Sequence, residues 1–239
     1  MKTIEAVIFD LEGTLFNSPQ LAKKHHEAIV NLIADRKRIS SKAARTLFSS
    51  ARTNLFTQLE YEPATVTTAI SLGINRHEFF EATESIDPSQ FVQPNHRLKR
   101  MLSDLRELSK VGLLTNVSRK TVAAILNALE LDTSEFEAIV SGDEVPENKP
   151  SPYPFLKTVS NLHVRPSRTV MVGDRIAIDL MPAKKLNMTT ILIGKLDNPS
   201  PHVDFAVNDV AEVYSTIAQI RRIPAQARFG GTSCETSQV

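Results

Sequence analysis

Short apolar runs recur along the chain, and a polar turn follows each of them. Polar and apolar residues do not alternate within the runs, which is typical of parallel strands buried on both faces. Amphipathic stripes between the runs predict helices. The predicted strands are 6–9, 112–115, 169–172 and 189–193, with weaker ones at 138–140 and 203–207, and the predicted helices are 96–110, 120–131, 151–162 and 179–186. This alternation predicts a doubly wound, parallel α/β sheet that binds ligands at the carboxyl ends of its strands.

The segment 17–94 interrupts this rhythm, because it has helical periodicity and no convincing strand. Its predicted helices are 21–34, 40–59, 63–72 and 77–84. We therefore expect an α/β core formed by residues 1–16 and 95–222, with 17–94 inserted as a small helical domain. Residues 223–239 contain little to bury and are predicted to be a disordered tail.

Composition narrows the class of protein. The 28 Lys and Arg residues nearly cancel the 27 Asp and Glu residues, which argues against a partner such as a nucleic acid polymer or a membrane surface. The apolar fraction of 41% suits a globular protein. A single cysteine, Cys234, excludes an internal disulfide framework, and we see no signal peptide or membrane-spanning stretch. These features favour a cytoplasmic protein, either a monomer or a homodimer.

Polar side chains stand at the ends of the predicted strands, where such a sheet brings them together. The first strand ends at Asp10, Glu12 follows two residues later, and Gly13 permits a sharp turn. A further pair of acidic residues, Asp174 and Asp179, follows the predicted strand 169–172. Carboxylates such as Asp10 and Asp174 are the hard oxygen ligands that Mg²⁺ prefers.

Two further groups complete this set. Thr115 and Asn116 follow the second strand of the core, and Lys149 precedes a predicted helix. A hydroxyl, an amide and an ammonium group can hold phosphate oxygens. Clustered carboxylates repel each other and a phosphate, so the site needs a cation and the lysine for neutrality. The set indicates a metal-assisted phosphoryl site.

With these motifs the chain resembles the haloacid dehalogenase-like (HAD) hydrolase superfamily, over about residues 4–193. The resemblance is to its small-molecule phosphatases, which have a Rossmann-like core and a helical cap inserted after the first motif. The four motifs, in the family's order, are Asp10-Leu11-Glu12-Gly13-Thr14, Thr115-Asn116, Lys149-Pro150, and Gly173-Asp174 with Asp179.

The resemblance implies that Asp10 attacks phosphorus and forms an aspartyl-phosphate. Mg²⁺ would be held by the Asp10 carboxylate, the main-chain carbonyl of Glu12, and Asp174. Asp179 would be an outer residue that orients the ligands, or a supplementary ligand; read alone, it could simply cap a helix.

By the same resemblance, Thr115 and Lys149 would bind the phosphoryl group with the help of Asn116. The implied substrate is a small phosphorylated metabolite such as a nucleotide, phosphoglycolate or a sugar phosphate. A mutase reaction remains open, whereas dehalogenation needs no Mg²⁺ site and is disfavoured by Asp174 and Asp179.

Glu12 departs from the family pattern, in which an aspartate acts first as general acid and then as general base. Glutamate keeps the carboxylate but extends its reach by roughly 1.5 Å. Two interpretations are open. Glu12 performs the acid–base catalysis, or the chain is a catalytically impaired HAD-like protein that binds a phosphorylated ligand or partner. A smaller departure is Asn187, which replaces a glycine and tolerates a left-handed turn.

The inserted segment is basic in its first half, which we interpret as a solvated helix face. The alternative is that Arg45 or Arg52 points towards an anionic substrate. We expect His25 and His26 to lie at the surface. We expect the apolar side chains of the segment to form its core, namely Leu47, Leu55, Phe56 and Phe79.

Overall fold

The computed structural model describes residues 3–222 and centres on a parallel β-sheet. Its strands are β1 (Ala6–Phe9), β2 (Lys110–Leu114), β3 (Ala138–Val140), β4 (Thr169–Gly173), β5 (Thr189–Ile193) and β6 (Phe205–Val207). All neighbouring pairs are parallel, in the order β3-β2-β1-β4-β5-β6. The chain leaves β1 for one side of the sheet and later returns to its other side as β4. The predicted α/β class is confirmed, and β1 and β4 flank the point where ligands bind in such sheets.

Helices cover both faces of this sheet. They are α5 (His96–Arg106), α6 (Arg119–Ala128), α7 (Pro152–Asn161), α8 (Met181–Lys185) and α9 (Val213–Arg222). One apolar cluster joins α5, α6 and α9 to Val7 and Phe9 of β1, and a second joins α7 and α8 to Ala6 and Ile8. Successive side chains of β1 therefore enter different cores, which explains the absence of polar alternation.

Four helices lie between β1 and α5. They are α1 (Pro19–Lys37), α2 (Ser41–Leu59), α3 (Thr65–Ser71) and α4 (Arg76–Glu84), and we call them the inserted helices. The helix α1 begins where the Ser18 hydroxyl accepts a hydrogen bond from the Leu21 N–H, and Pro19 occupies the first turn. The inserted helices share an apolar cluster of their own, which includes Ile33 and Phe48. The predicted helical character of the segment is thus present.

Several predicted element boundaries differ from the observed ones. Lys110 belongs to β2 rather than to the preceding helix, because its N–H donates to the Glu5 carbonyl beside β1 at 3.0 Å. The predicted helix 179–186 is a π-helical turn (Ile176–Leu180) followed by α8. Asn187 has φ +64°, the left-handed conformation expected for it.

The predicted disordered tail, including Cys234, falls outside the described residues. Within residues 3–222, none of the helices has the combination of length and apolar character that crossing a membrane requires.

Candidate phosphoryl-transfer site

The turn after β1 brings Asp10 against the end of β4. The Asp10 N–H donates to the Val172 carbonyl at 2.9 Å, which continues the strand pairing by one residue. Gly13 then turns the chain with φ +85°, and its N–H donates to the Phe16 carbonyl at 2.7 Å. A Cβ atom at Gly13 would lie 2.3 Å from Oδ2 of Asp174. Glycine is therefore required here both by the backbone conformation and by the close approach of Asp174.

A buried lysine connects two carboxylates at the centre of the site. Nζ of Lys149 donates to Oδ1 of Asp10 and to Oδ1 of Asp179, each at 2.6 Å. The other oxygen of Asp179 accepts the Arg175 N–H at 3.1 Å. Lys149 is only 2% exposed and Asp179 only 1%, so these charge-assisted bonds are shielded from water.

The charges of this cluster do not balance. Burial raises the pKa of Asp10 from 3.8 to about 7, against the opposing influence of Lys149. Burial also raises the pKa of Asp174, to about 6, and the charge of Asp179 adds to that rise. Burial lowers the pKa of Lys149, but Asp10 and Asp179 outweigh it, so its pKa lies above the ordinary value. The site thus holds more negative charge than one lysine neutralises.

The end of β2 supports this lysine from the other side. The Asn116 side chain accepts the Lys149 N–H at 2.9 Å and donates to the Lys149 carbonyl at 3.1 Å. Thr115 is buried, and its hydroxyl accepts the Val117 N–H at 3.4 Å. The side-chain amide of Asn116 therefore positions the main chain of Lys149, a role that its strand-end location alone did not indicate.

Three carboxylates form a group suited to a metal ion. One oxygen each from Asp10, Asp174 and Asp179 lie within 4.8 Å of one another. Oδ1 of Asp174 is buried and has no hydrogen-bond partner among the described residues. Clustered carboxylate oxygens match the ligand preference of Mg²⁺. This unpaired oxygen and the raised pKa values of two of the acids both fit a divalent cation.

Glu12 extends from the same turn towards the inserted helices. One of its carboxylate oxygens, Oε1, lies 3.6 Å from Nδ1 of His25 on α1, and 39% of its side chain is exposed. Glu12 and Asp10 both line one cavity of about 220 Å³ between the sheet and the inserted helices. The extra methylene of glutamate is therefore accommodated by directing the carboxylate into this cavity.

The inserted helices differ in detail from the predictions. His25 is buried and lines the cavity, and His26 is half-buried with its ring edge-on to Phe48, so the prediction of two surface histidines is wrong. Phe56 is 49% exposed rather than in the core. Arg45 is exposed and Arg52 pairs with Glu62, and neither lines the cavity.

The buried position of His25 is predictable from the helical spacing alone. Leu21, His25, Ile29 and Ile33 follow one another at four-residue intervals, and all are buried on one face of α1. The prediction of a surface position for His25 is therefore at odds with the helical spacing of its apolar neighbours. Its position on the buried face leads it to the cavity.

Arg76 joins the inserted helices to the loop that precedes Lys149. Its guanidinium donates to the side chain of Asn148 and to the carbonyls of Gly142 and Val145, and it lies 5.7 Å from the centre of the Phe80 ring. Burial lowers the pKa of Arg76. No sequence motif marks this arginine, which lies at the start of α4.

Comparison with known proteins agrees with this arrangement. A family model described as haloacid dehalogenase-like hydrolase matches residues 7–193. The chain is 30% identical to a phosphoglycolate phosphatase of Chromobacterium violaceum, over 90% of this chain and 96% of that protein. It is 26% identical to an N-acylneuraminate-9-phosphatase of Rattus norvegicus, over 92% and 96% of the two chains. The crystal structure of a HAD phosphatase from Thermococcus onnurineus superposes with a TM-score of 0.62 at 23% identity, covering 90% of this chain and 98% of that one.

Proposed function

We propose that this chain, which belongs to the haloacid dehalogenase-like hydrolase family, is a Mg²⁺-dependent phosphatase that forms an aspartyl-phosphate on Asp10. As a phosphoric monoester hydrolase of that family, it would act on small phosphorylated metabolites, the class to which the named substrates of its relatives belong. The observation that carries the proposal is the meeting of Asp10, Thr115 and Lys149 in one cavity, with Asp174 beside them.

Asp10 and Glu12 divide the proposed reaction between them. An Asp10 oxygen forms a bond to phosphorus while the bond from phosphorus to the leaving oxygen breaks, and Glu12 donates a proton to that oxygen. Water then attacks phosphorus of the aspartyl-phosphate and gives a proton to Glu12, which releases phosphate and restores Asp10. Both side chains line the same cavity, as this sequence of steps requires.

The transferring phosphoryl group needs positive and hydrogen-bonding groups around it. Lys149 is fixed by Asp179 and by Asn116, so its ammonium group is oriented before substrate arrives. Thr115 lines the cavity beside it. Since the Asn116 side chain is bonded to Lys149, we assign the contact between Asn116 and phosphate to its main-chain N–H.

Mg²⁺ fits the cluster of three carboxylates and would be held by Asp10, by Asp174 and by the main-chain carbonyl of Glu12. Bound there, it would neutralise charge on the phosphate oxygens. Both oxygens of Asp179 accept hydrogen bonds, from Lys149 and from the Arg175 N–H, which supports an orienting role for Asp179.

We further propose that 17–94 acts as a cap over the core formed by 1–16 and 95–222. The Ser18 hydroxyl donates to the Phe91 carbonyl at 2.9 Å. This hydrogen bond links the chain near the start of 17–94 to the chain near its end. A cap would exclude water from the aspartyl-phosphate and contact the leaving group. A cytoplasmic location and a monomeric or homodimeric state remain predictions.

The test is phosphate release from a panel of phosphorylated metabolites, with Mg²⁺ and with EDTA. We expect turnover that requires Mg²⁺ and a phosphorylated Asp10 peptide in acid-quenched samples. Asp10→Asn should abolish both, whereas Asp197→Asn, at an exposed loop position, should change neither. If no compound is turned over by the parent, the phosphatase proposal fails.

Glu12 decides between catalysis and binding alone. Loss of general acid–base assistance typically costs about 10²- to 10⁴-fold in rate. We therefore expect Glu12→Gln to slow turnover within that range. If Glu12→Gln equals the parent and Glu12→Asp is much faster, Glu12 does not act in catalysis and the impaired, ligand-binding interpretation holds.

A further inference from the structure

The wall that the inserted helices contribute to the cavity carries no basic side chain other than histidine, among the described residues. It consists of apolar and polar side chains, namely Ala22, His25, His26, Ala64, Thr65, Val66, Phe79 and Thr83. Burial, with added repulsion from Arg45 and Arg52, lowers the pKa of His26. A carboxylate placed against this wall would find no lysine or arginine there.

On the sheet side of the cavity, carboxylates outnumber the lysine and arginine side chains. Asp10, Glu12 and Asp179 line it together with Lys149, whose ammonium group is bonded to two of these carboxylates. Arg175 is the one other Lys or Arg in the lining formed by the described residues, and its guanidinium donates to the Glu62 carbonyl. A phosphate group and a second anion would compete for the same few cations, and burial of an unpaired carboxylate is costly.

His25 presents an unused polar atom in this wall. The residue is 8% exposed, and Nε2 is buried without a hydrogen-bond partner among the described residues. Nδ1 lies on the other side of the ring, 3.6 Å from Glu12. Buried polar atoms are nearly always paired, so an unpaired one in a cavity wall indicates a bond that a ligand completes.

We propose that the leaving group of the substrate is an uncharged, hydroxylated compound, and that Nε2 of His25 hydrogen-bonds one of its hydroxyl groups. The apolar side chains of Val66 and Phe79 contact its carbon skeleton. The inference rests on the proposed phosphatase activity and selects among its substrate classes: phosphorylated polyols and sugars are accepted, and phosphorylated hydroxy acids such as phosphoglycolate are disfavoured. His25 is thus a specificity-determining residue.

A three-carbon substrate series tests the charge preference on the unmodified protein with Mg²⁺. Propyl phosphate, glycerol 1-phosphate and 3-phosphoglycerate have the same number of carbon atoms. The first carries no hydroxyl group, the second carries two, and the third carries one hydroxyl group and a carboxylate. We expect kcat/KM for glycerol 1-phosphate to exceed that for propyl phosphate by about three- to tenfold, the worth of one neutral hydrogen bond. We expect 3-phosphoglycerate to be at least about tenfold poorer than glycerol 1-phosphate, because its carboxylate lacks a partner.

Variants of His25 test the assignment of the hydroxyl contact. Because His25 also lies beside Glu12, His25→Phe should slow every substrate, so the measured quantity is the ratio of kcat/KM between glycerol 1-phosphate and propyl phosphate. This ratio should fall to about one in His25→Phe and remain largely intact in His25→Gln, which keeps a polar group. The matched control is His77→Gln, at a side chain 78% exposed on α4, and its ratio should equal the parent's.

The outcomes separate this inference from the phosphatase proposal. Turnover of p-nitrophenyl phosphate, whose leaving group has neither a carboxylate nor an aliphatic hydroxyl, reports the basic activity. Absence of turnover for this compound and for every phosphorylated metabolite of the panel overturns both proposals. If p-nitrophenyl phosphate is turned over and kcat/KM for 3-phosphoglycerate equals or exceeds that for glycerol 1-phosphate, the charge preference alone is overturned. If Arg175→Gln then lowers kcat/KM for 3-phosphoglycerate selectively, Arg175 is identified as the carboxylate partner. An unchanged ratio in a folded His25→Phe overturns the role of His25.

Discussion

Replacing Asp10 with asparagine is expected to stabilise the metal-free protein while abolishing its activity. Asp10 is buried beside Asp174 and Asp179, and Lys149 compensates their charge only in part. Asparagine has nearly the same shape and no charge. The substitution therefore removes a destabilising ionised group from the folded state without leaving a cavity.

The size of the effect follows from the pKa of Asp10, which burial raises from 3.8 to about 7. Below the lower value both folded and unfolded states are protonated, and Asp10 has no effect on the pH dependence. Between the two values the folded state binds more protons, so the stability of the parent falls as pH rises. At about pH 8 the accumulated loss reaches an upper limit of about 4 kcal/mol, at 1.36 kcal/mol per pKa unit. Asp10→Asn should recover much of this loss.

The assay is urea unfolding in EDTA at about pH 4 and about pH 8. The difference in unfolding free energy between Asp10→Asn and the parent should grow from near zero at the lower pH to about 2–4 kcal/mol at the higher. Asp197→Asn is the matched control and should show no such growth, because Asp197 is exposed. Mg²⁺ should narrow the gap at high pH by stabilising the parent. A difference that is independent of pH, or that favours the parent at high pH, would refute the reasoning.

Three further substitutions test the other parts of the site. Gly13→Ala should lower the free energy of unfolding by about 1–3 kcal/mol, because the new methyl group strains the turn and displaces Asp174. It should also weaken Mg²⁺ binding measured by calorimetry, and full Mg²⁺ affinity would contradict this. Lys149→Met should lower the free energy of unfolding in EDTA by about 3–5 kcal/mol at neutral pH, since it leaves buried carboxylates unpaired, and by less in acid. An equal loss at both pH values would argue against charge as the cause. Arg76→Ala should increase hydrogen exchange in the 141–149 loop through loss of its anchoring bonds, and unchanged protection would show that the loop is held by other contacts.

Strand-end chemistry could be predicted from the sequence because it depends on short, local patterns. A run such as Ala6–Phe9 is recognisable as a buried strand, and a parallel sheet brings the ends of its strands to one edge. These patterns alone predict that Asp10, Thr115 and Lys149 lie at one site. The structure places all three in the same cavity.

Interactions between distant segments could not be predicted in this way. The bonds from Asn116 to Lys149 depend on how two loops approach each other, which no local pattern encodes. The same holds for Arg76, whose partners are remote in sequence. Phe56 shows the converse limit, because hydrophobicity alone does not determine which face of a helix is covered. The contact between Glu12 and His25 likewise required the packing of α1 over the sheet.

The π-helical turn Ile176–Leu180 has a consequence for how this site is encoded. Its hydrogen bond runs from the Met181 N–H to the Ile176 carbonyl, a span of one residue more than in an α-helix. Removal of a residue between Arg175 and Asp179 would rotate the next part of the helix by about 100°, given 3.6 residues per helical turn, and Asp179 would leave Lys149. Related sequences should therefore tolerate substitutions of the three intervening side chains far better than a change in their number. In this turn the spacing of the chain, as much as any side chain, carries the information for the charge cluster.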